Sequence, residues 1–112
     1  MTMAATVRAA LADIPAATIL AAEPGCGAAD IVAKMRSAAG EIILLLIDPG
    51  VPQLERAMLI AAIGPLAIEH APASRIGAID IGEGAVLPDV EAAARFLVAA
   101  RSTTGQVLVV ST

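Results

Sequence analysis

The apolar positions of this chain switch repeatedly between a helical and an extended period. From Met3 to Asp13 the sequence is alanine-rich, with Val7, Ala10 and Leu11 at helical spacing, which predicts a short helix. Ile14-Pro15 ends it, since the residue before a proline is driven out of the helical region. Ala17 to Ala22 (Ala-Thr-Ile-Leu-Ala-Ala) predicts a strand, and Pro24-Gly25-Cys26-Gly27 a turn. In Ala28 to Ala39, Ile31, Val32 and Met35 share one side while Asp30, Lys34 and Arg36 take the other. That predicts an amphipathic helix, closed by Gly40. Glu41 begins a segment that is apolar from Ile42 to Ile47 without alternation. Such a run predicts a strand covered on both faces, as in the middle of a parallel sheet.

Asp48-Pro49-Gly50 predicts a turn. A long helix follows, from Pro52 or Gln53 to His70. A kink is expected at Pro65, whose ring removes one backbone bond and crowds the carbonyl of Ala61. Arg75 to Ile81 predicts a third strand and Gly82-Glu83-Gly84 a loop. Pro88-Asp89 opens a helix running through Ala100. Gly105 breaks it, and Gln106 to Val110 is the last strand. Strands separated by helices imply right-handed crossovers and a parallel sheet with helices on both faces. The expected fold is one domain over residues 1–112. It is a reduced Rossmann-like α/β sandwich of three layers, with a four-stranded parallel sheet in the order 1-2-3-4.

Composition narrows the function classes. Hydrophobic residues make up 58% and charged residues 16%, the opposite of a disordered chain. One cysteine, Cys26, excludes a disulfide framework. A net charge of −4 and a single aromatic, Phe96, argue against nucleic acid as a partner. The longest uncharged stretch, Ala57 to Ile68, falls well short of the roughly 20 residues of a spanning helix. Arg8 and Asp13 interrupt the apolar start, and Glu23 precedes Cys26 where a lipoprotein signal needs small apolar residues. A soluble cytoplasmic protein without a membrane partner is therefore expected. Its excess hydrophobicity is expected in a core and a subunit interface.

Helix 53–63 carries the strongest interface signal. Leu54, Met58, Leu59, Ala61, Ala62 and Ile63 leave little polar face beyond Gln53, Glu55 and Arg56. A helix apolar all round must be covered all round. A homodimer is expected through Leu54, Met58, Leu59, Ala62 and Ile63, with a contribution from helix 28–39.

The second half resembles the short-chain dehydrogenase/reductase family. Leu66-Ala-Ile-Glu-His-Ala-Pro72, Arg75-Ile-Gly-Ala-Ile79 and Gly82 are similar to that family's LALELAP…RVNAIAPG. Pro88-Asp-Val90, Phe96-Leu97, Ser102 and Thr104-Gly-Gln-Val-Leu-Val-Val110 are similar to its P-x-DVA…FL…S…TGQ-x-L-x-V. In that register Gly40-Glu-Ile-Ile43 falls on GRIV and Leu20 to Gly25 on LVNNAG, so the resemblance runs from about Val7 to Val110. In that family the helix matching residues 53–63 builds the subunit interface.

The departures bear on function. The family's first three strands and its glycine-rich dinucleotide loop have no counterpart here. The resemblance puts its Tyr-x-x-x-Lys on Pro52-Gln-Leu-Glu-Arg56 and its catalytic serine near Leu46 to Asp48, where no serine stands. The chain holds no Tyr and no Asn, and its one lysine, Lys34, sits on another helix. The family's hydride transfer needs a phenol as general acid/base beside a cation. No catalytic residue and no cofactor are therefore expected. With the preceding strands missing, Ala17 to Ala22 becomes an edge that a second copy can pair with.

The remaining candidate sites have plainer readings. Gly25-Cys26-Gly27 suits a phosphate at a helix start, but Glu23 and Asp30 would repel one, and a strand-to-helix turn is favoured. Cys26 can be activated at a helix start, yet its only histidine partner, His70, belongs to the far end of another helix. One Cys and one His make no four-ligand metal site. Asp48 and Asp80, with Glu23 and Glu83, fall at the carboxyl ends of strands, where open α/β sheets bind ligands. They can bind a cation or act as acid/base groups; turn polarity is the plainer reading.

Three functions stay open. The first is a non-catalytic oligomeric domain with a structural or partner-binding role. The second is a small-ligand or NAD(P)-type nucleotide-binding domain using the carboxyl edge of the sheet, lined by Gly25, Gly27 and Gly82 with Asp48 and Asp80. The third is an oxidoreductase remnant acting beside a full-length paralogue.

Overall fold

The strand over Ile42–Ile47 is buried at all six positions, and the rest of the molecule is arranged around it. The computed structural model describes residues Met1–Ser111. In chain order the elements are α1 (Met3–Ala10), β1 (Ala17–Ala22), α2 (Ala28–Ser37), β2 (Ile42–Ile47), α3 (Gln53–His70), β3 (Arg75–Ile81), α4 (Leu87–Ala99) and β4 (Gln106–Val110). The four strands form one parallel sheet in the order β1-β2-β3-β4. This is the Rossmann-like α/β arrangement the apolar runs predict.

Because side chains alternate along a strand, β2 feeds two cores. Ile43, Leu45 and Ile47 meet Ile31 and Met35 of α2 and Leu59, Ile63 and Leu66 of α3. Ile42, Leu44 and Leu46 meet Val7 of α1 and Val90, Ala94 and Leu97 of α4. So α2 and α3 cover one face, and α1 and α4 the other.

This placement corrects the expected handedness. Each crossover takes one step in the same direction across the sheet. The α2 and α3 units do so with the helix on one face, and the α4 unit with the helix on the other. The β3–α4–β4 unit therefore has the opposite hand to the first two, against the strong preference for a right-handed crossover. A uniform hand would gather α2, α3 and α4 on one face. The other would be left to α1, whose buried residues are only Ala4 and Val7. Arg75 at the start of β3 helps fix α4 there. Its guanidinium donates to the carbonyls of Leu97 (3.1 Å), Val98 (2.9 Å) and Ala100 (2.9 Å), satisfying carbonyls that a helix end leaves free.

Two helix ends fall more than one residue short of the sequence reading. α1 ends at Ala10, and the predicted remainder to Asp13 is turn. α2 ends at Ser37, whose hydroxyl donates to the carbonyl of Lys34 (3.2 Å); Ala38 is already extended, so Gly40 belongs to the turn into β2. α3 runs through Pro65 as one helix over the span that the sequence predicts, Gln53–His70. Both β1 and β4 are edge strands.

Candidate functional site

The carboxyl ends of the strands bring Glu23, Asp48, Asp80, Gly82 and Glu83 to one edge, as the strand assignments require. Asp48 follows β2 directly and is 6% exposed. One carboxylate oxygen accepts the backbone N–H of Ala4 (3.1 Å) and the other that of Gly50 (2.9 Å). The first bond places a negative charge on the amino end of α1, where free N–H groups and the helix dipole favour it. Thr2 caps the same helix by accepting from the N–H of Ala5 (3.0 Å). It also donates its hydroxyl to Glu23 (2.6 Å). The amino end of α1 thus seats on the edge above β1 and β2.

Asp80, the sixth residue of β3, is held differently. It forms an ion pair with Arg56 from the first turns of α3, with side chains only 12% and 16% exposed for Arg56 and Asp80. The same guanidinium donates to the carbonyls of Asp48 (2.6 Å) and Val51 (3.4 Å). Arg56 therefore ties the start of α3 to the ends of β2 and β3. Sequence reasoning treated Arg56 as polarity at a helix start, and missed this role. The available signal was a lone cation four residues after Pro52, with Asp80 at a strand end.

The glycines of the edge serve close packing. The N–H of Gly82 donates to the carbonyl of Val110 (2.7 Å), and a Cβ there would stand 3.1 Å from the Cβ of Ser111. A Cβ on Gly50 would stand 2.7 Å from Cγ of Pro24, so the turns after β1 and β2 press together. Gly25 and Gly27 form the β1–α2 turn, in which the N–H of Cys26 donates to the carbonyl of Glu23 (3.1 Å). Asp30 stands in the first turn of α2, and its carboxylate lies 3.7 Å from where a Cβ of Gly27 would be.

A dinucleotide does not fit these residues. Its pyrophosphate would meet Asp30 and Glu23 where it needs unopposed N–H groups. The space above β1 and β2 is taken by the amino end of α1 and the Pro24–Gly50 contact. What stays open is a crevice between α3 and β3, lined by Gln53, Arg56, Asp80, Gly82 and Glu83.

The other candidates are not brought together. Cys26 lies at the carboxyl edge of the sheet, while His70 ends α3 at the opposite edge, with Nδ1 3.0 Å from the carbonyl of Leu66. Among the described residues no three His, Cys, Asp or Glu side chains gather where a metal ion could be shared. No helix there is long and apolar enough to cross a membrane.

The expected interface residues divide. Leu54 (73%) and Met58 (51%) are exposed, and Ala62 is half-buried. Leu59 and Ile63 are corrected: both are buried against the sheet of their own chain and offer nothing to a partner. Sequence reasoning missed Ile68, 80% exposed on the same outer face. The outer face of α2 carries Asp30, Lys34, Arg36 and Ser37. No curated protein and no solved structure matches the chain. Residues 8–110, nearly its whole length, match a family described as short chain dehydrogenase-like protein, and the chain belongs to this SDR-like family.

Proposed function

We propose that the chain is a non-catalytic member of its family, with a structural or partner-binding role. One observation carries this reading. The residue matching the family's catalytic lysine is Arg56, and its guanidinium is already held by Asp80 and by the carbonyls of Asp48 and Val51. Three of the contacts this cation can make are thus spent on holding the scaffold. The position matching the phenol is Pro52, which has no proton to give. The position matching the serine ends at Asp48, whose two oxygens serve the backbone of Ala4 and Gly50. The outer face of α3 supplies the binding surface instead.

The test is binding of NAD⁺, NADH, NADP⁺ and NADPH by calorimetry and thermal shift. No heat and no shift at millimolar dinucleotide are expected. Saturable binding that Asp30→Asn strengthens would overturn the reading. A second reading, a small polar ligand in the α3–β3 crevice, is favoured by Gln53 and Glu83. Both line it, and neither has a side-chain hydrogen bond among the described residues. A ligand carried through purification, seen by native mass spectrometry and lost in Glu83→Gln, would support it.

A further inference from the structure

β1 is one of the two outer strands of the sheet, and its free side carries none of the usual protection. Charges, prolines and bulges are what keep an outer strand from pairing with another chain. β1 holds no charge and no proline, and its register with β2 runs unbroken over all six residues. The ladder fixes where its backbone groups point. The carbonyls of Ala16 and Ala22 accept from the N–H groups of Ile42 (3.4 Å) and Asp48 (2.9 Å). In a parallel ladder alternate residues turn both backbone groups to the neighbour, so the even-numbered residues serve β2. The N–H and C=O groups of Ile19 and Ala21 therefore point away from the sheet. On that side the N–H of Ala17 is satisfied locally, by the carbonyl of Ile14 (3.3 Å).

The side chains around this free side are self-complementary. An antiparallel copy related by a two-fold axis at Leu20 would set Ile19 against Ala21 twice, a large residue against a small one. Those pairs would exchange main-chain hydrogen bonds on both sides of the axis. Leu20, half-buried against the α2–α3 core, would meet its own counterpart. The flanking helix fits the same axis. Ile31 and Met35 of α2 face the sheet, and Arg36 reaches Glu69 of α3 (3.2 Å). The helical period then puts Asp30 and Lys34 on the side of α2 above the free side of β1. Both are exposed, and neither enters an ion pair among the described residues. The midpoint of Asp30 and Lys34 is the middle of α2, as Leu20 is at the middle of β1, so one axis serves both. About it, Asp30 of each copy would face Lys34 of the other. Such reciprocity is what a two-fold pairing requires, because every contact occurs twice. On the α1 side Arg8 lies beside the strand with Ala12 and would approach its counterpart in solvent, where salt screens the repulsion.

We propose that the free side of β1 pairs with β1 of a second copy, antiparallel about Leu20, joining the two four-stranded sheets into one continuous sheet. The inference goes beyond the partner-binding reading above and does not depend on it. It uses a different surface from the outer face of α3, and main-chain bonds in place of an apolar contact.

The experiment compares the full chain at about 50 µM, where a micromolar association is largely complete, with the same protein at about 0.5 µM, by analytical ultracentrifugation and hydrogen exchange. A dimer is expected at the higher concentration, with the amides of Ile19 and Ala21 at least about tenfold better protected than after dilution. In a Cys26→Ala background, Leu20→Cys should form an intersubunit disulfide under mild oxidation, since facing residues of a non-hydrogen-bonded pair lie about 4.5 Å apart. Thr18→Cys, displaced from its counterpart by roughly 13 Å along the strand in this register, should not. Lys34→Glu would oppose acids on both sides of the axis and should weaken the dimer about tenfold; adding Asp30→Lys should restore it. These changes on α2 leave the strand untouched, and circular dichroism should show the subunit folded. A monomer at the higher concentration overturns the proposal. An oligomer in which Ile19 and Ala21 exchange at a rate independent of concentration and Leu20→Cys does not bridge also overturns it, and is the result that association through α3 would give.

Discussion

The carboxyl edge of the sheet and the outer face of α3 are built on opposite terms. At the edge, Glu23, Asp48 and Asp80 are each engaged within the chain, by Thr2, by the N–H groups of Ala4 and Gly50, and by Arg56. On the face, Leu54, Met58 and Ile68 are exposed. In open α/β sheets the edge is where ligands bind. Here three of its carboxylates are tied into the scaffold, and the exposed large apolar side chains of α3 lie on the flank of the helix. Residues at the edge should therefore govern stability, and residues on the face association.

The contrast is broken hardest at Arg56. Arg56→Ala leaves Asp80 without its ion-pair partner in a largely buried place and should cost about 3 kcal/mol of unfolding free energy. Urea denaturation checks this. Replacing both Arg56 and Asp80 by leucine should cost less than the single change, because no buried charge is then left alone. Asp48→Ala comes next. It removes a charged acceptor from two N–H groups and should cost about 2 kcal/mol. Amides of α1 should lose protection from hydrogen exchange first, since Asp48 anchors that helix. Met58→Glu should leave the stability of the isolated subunit within about 0.5 kcal/mol, as for an exposed site, and alter only its association. The smallest effect belongs to Arg95 on α4. Hydrogen bonds with Asp13 and Glu91 raise its guanidinium pKa further above its ordinary value, yet the group is at the surface and always charged. Arg95→Ala should leave the melting temperature unchanged.

All eight elements were legible because each apolar run is bounded by proline or glycine, and the lack of alternation in Ile42–Ile47 marked the sheet's centre. The hand of the last crossover was not legible. It depends on which face lacks cover, a property of the assembled sheet. Asp48 and Asp80 could be placed on the edge from strand ends alone. Their partners could not, since Ala4 and Arg56 reach them across long stretches of sequence. On α3 the difficulty was phase. A helix apolar on every side does not announce which side is inward. The fold decides it by turning Arg56 toward Asp80 and Leu59, Ile63 and Leu66 toward the sheet, which leaves Leu54, Met58 and Ile68 outside.

The order of the strands also bears on how the chain reaches this structure. Each strand lies beside the one made just before it, so sheet pairing never has to wait for a distant segment. Contacts of short sequence separation carry a small loop-closure cost and favour fast folding. During synthesis β1, α2 and β2 can assemble as they emerge, and β3 adds to an existing edge. Only the last unit, β3–α4–β4, must wind against the usual hand. It does so when the rest of the sheet is already there to receive it, so docking of β4 should be the final step that refolding kinetics resolve.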